Sequence, residues 1–309
     1  MDRRALLLLA LASAGCRQIF GLDDLPERTL DGHAQIDVPM VDTLAPADCM
    51  TRWRTTPVFA APVPITILNT GGDEDHPFLM PDERTIYFSR AADIFVATRP
   101  TIQDVFTAGA REDSLSTNSN EGKAFINFDG TRAFFASDQA GGNGGFDLWR
   151  GSRASATGPF AIDRQYVGPK LDDDKSQVDP HMSTDLLRLY FIPVAGPDQH
   201  IAVSTRTTTS QDFNNGSPIA ELAGTGYDAG PTLTEDETVI VFSSTRNGKE
   251  HLFYATRMTS NGTFGMPKPV PQVSAGGADA SPHVSRDGCR LYFMSTRDGT
   301  ADLFVATML

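Results

Sequence analysis

From residue 53 onward, short runs of alternating apolar and polar residues are separated by turns rich in Asp, Gly and Pro, the pattern of antiparallel strands and hairpins. No helical or strand period is sustained over residues 17–48, and no apolar run reaches the ~18 residues of a membrane-spanning helix. The strand runs are copies of one another. An Asp stands six residues before a Phe at Asp82/Phe88, Asp129/Phe135, Asp185/Phe191, Asp236/Phe242 and Asp287/Phe293. Five residues before each Asp comes Pro77, Ala124, Pro180, Pro231 or Pro282. A second block starts at Asp93, Asp147, His200, His251 and Asp302; thirteen residues after the first four of these lies Phe106, Phe160, Phe213 or Phe264.

The fifth copy has no such Phe before Leu309, but Phe59 supplies one at the other end of the chain. Phe59 precedes Asp82 by 23 residues, and the later Phe–Asp pairs are spaced 23, 25, 23 and 23 apart. The repeat is therefore permuted by one strand. Each copy holds four strand signals, here a to d, with d following the outer Phe. One four-stranded unit cannot bury both faces alone; stacking units around an axis does so, and closing the ring removes exposed edges. The pattern predicts an all-β, five-bladed β-propeller of four-stranded antiparallel blades over 53–309, about 51 residues per copy, its ring closed by the N-terminal strand pairing with the C-terminal blade. Length alone would suggest two domains; the repeats predict one.

Two segments carry a family likeness: Ser281-Pro282-His283-Val284-Ser285-Arg286-Asp287-Gly288, and Phe293-Met294-Ser295-Thr296-Arg297-Asp298-Gly299 running on to Asp302-Leu303-Phe304. They resemble the WD-repeat-like β-propeller repeat of the TolB type, over the whole of 53–309. The copies depart from it in places. Only the second and fifth keep Asp-Gly, the second has Ala124 for Pro, and the third has Ala202 where the others have an aromatic residue.

The N-terminus reads as an address. Arg3 and Arg4 precede an apolar stretch that ends Ser13-Ala14-Gly15-Cys16. These residues resemble the lipobox of bacterial lipoproteins, although Ser13 stands where Leu is usual. The resemblance implies a signal peptide over 1–15, lipid attachment at Cys16 and, with Arg17 rather than Asp next, an outer-membrane location. The alternative is an ordinary secretory peptide. Residues 16–52, rich in Asp and Pro, read as an acidic tether.

The net charge of −13 argues against nucleic acid or an anionic lipid surface as a partner. Three cysteines are too few for a disulfide-built scaffold. With Cys16 assigned to lipid, Cys49 lies just before the borrowed outer strand and Cys289 begins strand b of the same blade. A disulfide between them is expected in an oxidising compartment.

Candidate chemistry sits at one end of the blades. The b–c spans vary (five residues in the first copy, twelve in the second, nine in the others), whereas the other spacings hold nearly constant. Eight residues before each repeat Asp lie Glu74, Glu121, Gln177, Asp228 and Asp279, on the same face. Near them come His76, Lys123 and Asp179. One reading is a channel-mouth ring that binds a polar ligand, with Ca2+ as a possible occupant because carboxylate oxygens suit it. The other is an acidic cap on loop amides, repeated because the unit is repeated. No Gly-x-Ser-x-Gly nucleophile elbow or phosphate loop is present. The leading expectation is a monomeric, non-catalytic, lipid-anchored module that binds an envelope protein, peptide or glycan without cofactor. The alternative is a five-bladed glycoside hydrolase working through funnel carboxylates.

Overall fold

The computed structural model describes residues 46–143, 145–163, 176–194, 199–274 and 276–309. Cys16 and most of the segment read as a tether lie outside the described residues. Helix α1 (Pro46–Arg54) leads into β1 (Val63–Pro64). Blade one is β2 (Glu74–Leu79), β3 (Thr85–Arg90), β4 (Asp93–Thr98) and β5 (Ala110–Arg111). Blade two is β6 (Glu121–Ile126), β7 (Arg132–Ser137), β8 (Asp147–Ser152) and β9 (Ala161–Ile162). Blade three is β10 (Ser176–Met182), β11 (Arg188–Val194), β12 (Ala202–Thr205) and β13 (Ser217–Pro218). Blade four is β14 (Asp228–Leu233), β15 (Val239–Ser244), β16 (His251–Thr256) and β17 (Lys268–Pro269). Blade five is β18 (Asp279–Val284), β19 (Arg290–Ser295) and β20 (Asp302–Thr307), completed by β1 as its outer strand. All ladders are antiparallel. The first strands of adjacent blades face each other around the ring, β2 against β6 and β18, and β14 against β10 and β18. The protein is an all-β, five-bladed β-propeller.

Two repeated contacts hold the blades. The second-strand residues Phe88, Phe135, Phe191, Phe242 and Phe293 are buried between sheets. On the rim, the Arg that follows each third strand lies over the outer Phe: Arg99 on Phe106, Arg153 on Phe160, Arg206 on Phe213 and Arg257 on Phe264, at 4.0–4.4 Å from the ring centroids. Such a stack contributes about 0.5–2 kcal/mol. Three of these guanidinium groups, those of Arg99, Arg153 and Arg257, reach a tyrosine hydroxyl across a blade boundary. Arg257 donates to Tyr190 Oη at 2.8 Å, and Tyr190 donates in turn to buried Glu237.

Blade five has Met308 where an Arg would stand, and Trp53 from α1 packs edge-on against Phe59 instead, centroids 5.4 Å apart. Ring closure is dense. Val63 pairs with Val305, Phe59 bridges Met308, and Leu309 N donates to Val58 O at 2.8 Å. Cys49 and Cys289 are joined in a disulfide, Cα atoms 5.2 Å apart. Trp53 Nε1 donates to Gly288 O at 2.9 Å. Gly288 has φ 75° and lies so close to the helix that a Cβ there would meet Met50 Sδ at 2.9 Å.

The segment expected as a tether to residue 52 ends in this helix. Nine residues are too few to declare a period. Among the described side chains of the helix, Cys49 and Trp53, four apart and on one helical face, are fully buried, and beside Phe59 their partners are Tyr254 of blade four and Gly288 and Cys289 of blade five.

Candidate functional site

The five residues expected as a ligand-facing ring are sealed inside the blade tops. Glu74, Glu121, Asp228 and Asp279 open their innermost strands, Gln177 stands second in its own, and all five are no more than 3% exposed. Glu74 accepts from Thr70 N (2.9 Å), Thr70 Oγ1 and Arg90 Nε (2.8 Å). Glu121 accepts from Thr117 N and from the hydroxyls of Thr117 and Ser137. Asp228 takes Arg246 at 2.7 Å and His200 Nδ1 at 2.9 Å, and Asp279 takes Arg297 at 2.7 Å. Arg90, Arg246 and Arg297 also donate to loop carbonyls of Leu68, Leu222 and Val273, and lie over second- and third-strand Phe rings. Each acidic residue therefore pins the loop entering its own blade. This is the loop-capping role, and it corrects the reading of these positions as a ring open to ligand. Sequence reading missed the arginines, although Arg246 and Arg297 both stand four residues after the second-strand Phe. Among the described residues no group of three or more His, Cys, Asp or Glu could hold a metal ion.

The channel is lined two residues further on. Every innermost strand carries a bulge that begins after the residue following this position. The bulged residue is left-handed in each: His76, Lys123, Asp179, Gly230 and Ser281, with φ between 49° and 59°. A bulge re-aims side chains that strict alternation would have placed elsewhere. Here it gathers His76, Lys123 and Asp179, three of the expected candidates. Asp179, 5% exposed, pairs with Lys123 Nζ at 2.8 Å and His76 Nε2 at 3.5 Å, and accepts from Gly230 N at 2.8 Å. One carboxylate so ties four blades. His76 Nδ1 meets Asp75 Oδ1 at 2.9 Å. Gly230 suits this spot because a Cβ would stand 3.1 Å from Ser281 Cα.

Burial opposes charge at all three of the groups that titrate here, but their partners win. The charge on Asp75 and bonds to Asp179 and Asp75 push His76 up to about 9. Lys123 and His76 hold Asp179 far below the usual carboxylate range, and His76 holds Asp75 below it too. Both carboxylates are therefore ionised at neutral pH, and the imidazole is a cation.

One layer deeper stand Phe78, Phe125, His181, Thr232 and His283. Phe78 packs on Phe125 (5.0 Å) and His283 (4.7 Å), and Phe125 packs on His181 (5.0 Å). Desolvation keeps both imidazoles neutral down to about 3. The cavity of about 40 Å³ around these two layers has room for water only.

Open space lies beside the knot. Blade one turns from second to third strand through Ala91-Ala92 alone, both left-handed (φ 51° and 64°), as a two-residue hairpin requires. Blade two has the longest such loop. The mismatch leaves a cleft of about 320 Å³ between these blades, lined by Asp75, His76, Arg90, Lys123 and the ring of Phe146 among others.

No protein-family model matches this chain, and no curated protein matches it. Solved structures do. A thermostable family-43 glycoside hydrolase is 12% identical over 78% of this chain and 91% of its own, with TM-score 0.54. A GH43_1 enzyme from Xanthomonas citri complexed with xylose is 14% identical over 85% and 93%, with TM-score 0.52. TolB from Acinetobacter baumannii is 12% identical over 79% and 56%, with TM-score 0.48. At these identities the likeness to the two hydrolases shows the fold alone.

Proposed function

We propose that the protein is a non-catalytic binding or scaffold module of the bacterial cell envelope, anchored by lipid at Cys16, which takes a protein, peptide or glycan in the cleft beside the channel mouth. The observation that carries this reading is the ion pairing of the channel carboxylates, Asp179 at 2.8 Å from Lys123 Nζ and 3.5 Å from His76 Nε2, and Asp75 at 2.9 Å from His76 Nδ1. A glycosidase needs one carboxyl protonated near neutral pH to protonate the leaving group. Asp75 and Asp179 are both held ionised by His76 and Lys123, and the deeper ring holds no carboxyl at all. The adjoining cleft offers what recognition of a polar chain uses: an aromatic wall, charges of both signs and volume within the usual pocket range.

The glycoside hydrolase reading keeps one support, the likeness to family-43 enzymes. A glycan and peptide array probed with the purified protein, run beside a panel of aryl glycosides, separates the two. Saturable binding weakened by Lys123→Ala, with no turnover, supports the module. Turnover abolished by Asp179→Asn overturns it. Palmitate labelling lost on Cys16→Ala supports the anchor; equal labelling of both proteins removes it.

A further inference from the structure

The opposite mouth of the channel holds a second pocket with its own chemistry. It is a cavity of about 90 Å³, floored by Phe78, Phe125, His181 and His283 and rimmed by residues of the first–second strand turns. The rim position is Pro81, Phe128, Thr184, Glu235 and Arg286 in blades one to five. Phe128 is 49% exposed, an unusual cost for a ring that could have been any polar turn residue. Arg286 of blade five reaches over it, guanidinium carbon 4.4 Å from the ring centroid, although blade one lies between their blades. Phe128 and Arg286 together arch over part of the mouth. Arg286 donates Nε and Nη2 to Glu235 at 2.5 and 3.0 Å, and among the described residues its Nη1 has no such bond.

The floor holds a donor without an acceptor. His181 is 9% exposed, and its Nε2 accepts from Leu233 N at 3.2 Å. A ring nitrogen that accepts carries no proton, so the proton of the neutral imidazole sits on Nδ1. Among the described residues no acceptor meets that N–H. An occupant that brings an oxygen can accept from it. Edge-to-face contacts already join Phe78 to Phe125 and His283, and another ring extends the same packing.

We propose that this mouth binds a small single-ring aromatic acid, its ring against Phe78, Phe125 and Phe128, its ring oxygen accepting from His181 and its carboxylate on Arg286. The site lies at the opposite end of the channel from the cleft and stands or falls independently of the reading above.

The test uses 4-hydroxybenzoate as probe, titrated into the detergent-solubilised full chain and followed by calorimetry, with benzoate and cyclohexanecarboxylate alongside. The expected result is saturable binding in the millimolar range or tighter. 4-Hydroxybenzoate should bind more tightly than benzoate, and cyclohexanecarboxylate most weakly. Arg286→Gln, a rim change that leaves the fold intact, should weaken binding of both aromatic acids about tenfold. His181→Phe should erase the preference for 4-hydroxybenzoate over benzoate. Absence of saturation, or affinities unchanged by Arg286→Gln, overturns the proposal. Equal affinity for cyclohexanecarboxylate overturns the aromatic part of it.

Discussion

Replacing Asp179 by Asn removes the charge on which the channel knot turns while keeping an oxygen for Gly230 N. In the wild type, His76 gains a proton affinity of about 9 on folding, against 6.5 unfolded. A group whose folded value is raised stabilises fully below the unfolded value and loses that contribution as pH rises through the folded one. The gap converts, at about 1.4 kcal/mol per pH unit, to about 3 kcal/mol lost between pH 6.5 and somewhat above 9. No other described group with a shifted value competes in that window. His181 and His283 titrate below it, and the raised tyrosines, such as Tyr190 at about 12, titrate above it. Asn at 179 strips His76 of one of its two carboxylates, so the alkaline loss should fall to about half. At pH 6 the variant should itself be about 2–3 kcal/mol less stable. That is below the 3–5 of a fully buried broken pair, because Lys123 is 30% exposed and can turn to water. Urea unfolding of both proteins at pH 6, 7.5 and 9.5 reads all three quantities. A wild-type stability flat across that range, or an Asp179→Asn slope equal to wild type, refutes the reasoning.

Cys289→Ser should cost about 2–4 kcal/mol in the same assay, because the crosslink closes a loop of 240 residues; a reductant should reproduce the loss in wild type and do nothing to the variant. From pH 6.5 down to about 4, stability should fall, since the unfolded chain protonates His181 and His283 while the native state holds them neutral to about 3; a flat profile there counts against their neutral burial. Arg246→Leu should destabilise by about 2–4 kcal/mol by leaving buried Asp228 with His200 alone, and should leave binding in the cleft unchanged if the acidic position is structural.

The architecture was legible because it is repeated. A single Asp-x-x-x-x-x-Phe run says little, but five in register, with Phe59 restoring the missing outer strand, define both the blade count and how the ring closes. What was not legible depends on one residue's conformation or on distant partners. Alternation predicted which residues begin the innermost strand, but the bulge near its start decides which side chain reaches the axis, and nothing in the residue types His, Lys, Asp, Gly and Ser taken together announces a shared left-handed φ. Helix α1 owes its place largely to contacts with blades four and five, distant in sequence and beyond any local pattern. The capping arginines were visible at a constant offset in two blades, yet their target lies on another strand and only the fold joins them.

Agreement between copies and function pull in opposite directions along this chain. The position eight before the repeat Asp is acidic in four blades of five, which invites a functional reading, and the side chains are buried on loop amides and arginines. A demand shared by all blades is a demand of the blade. Ligands on the axis of a propeller meet the blades one at a time, so recognition requires the copies to differ. The positions that differ most are those at the two mouths: His76, Lys123, Asp179, Gly230 and Ser281 at one end, Pro81, Phe128, Thr184, Glu235 and Arg286 at the other. Each set sits on a backbone fixed by its blade, so a substitution there changes the mouth's chemistry at little cost to the ring. Asp179 is the exception that tests the rule, since it both faces the axis and binds four blades together. It is therefore the mouth position whose loss should register in stability and binding at once, whereas Arg286→Gln should register in binding alone.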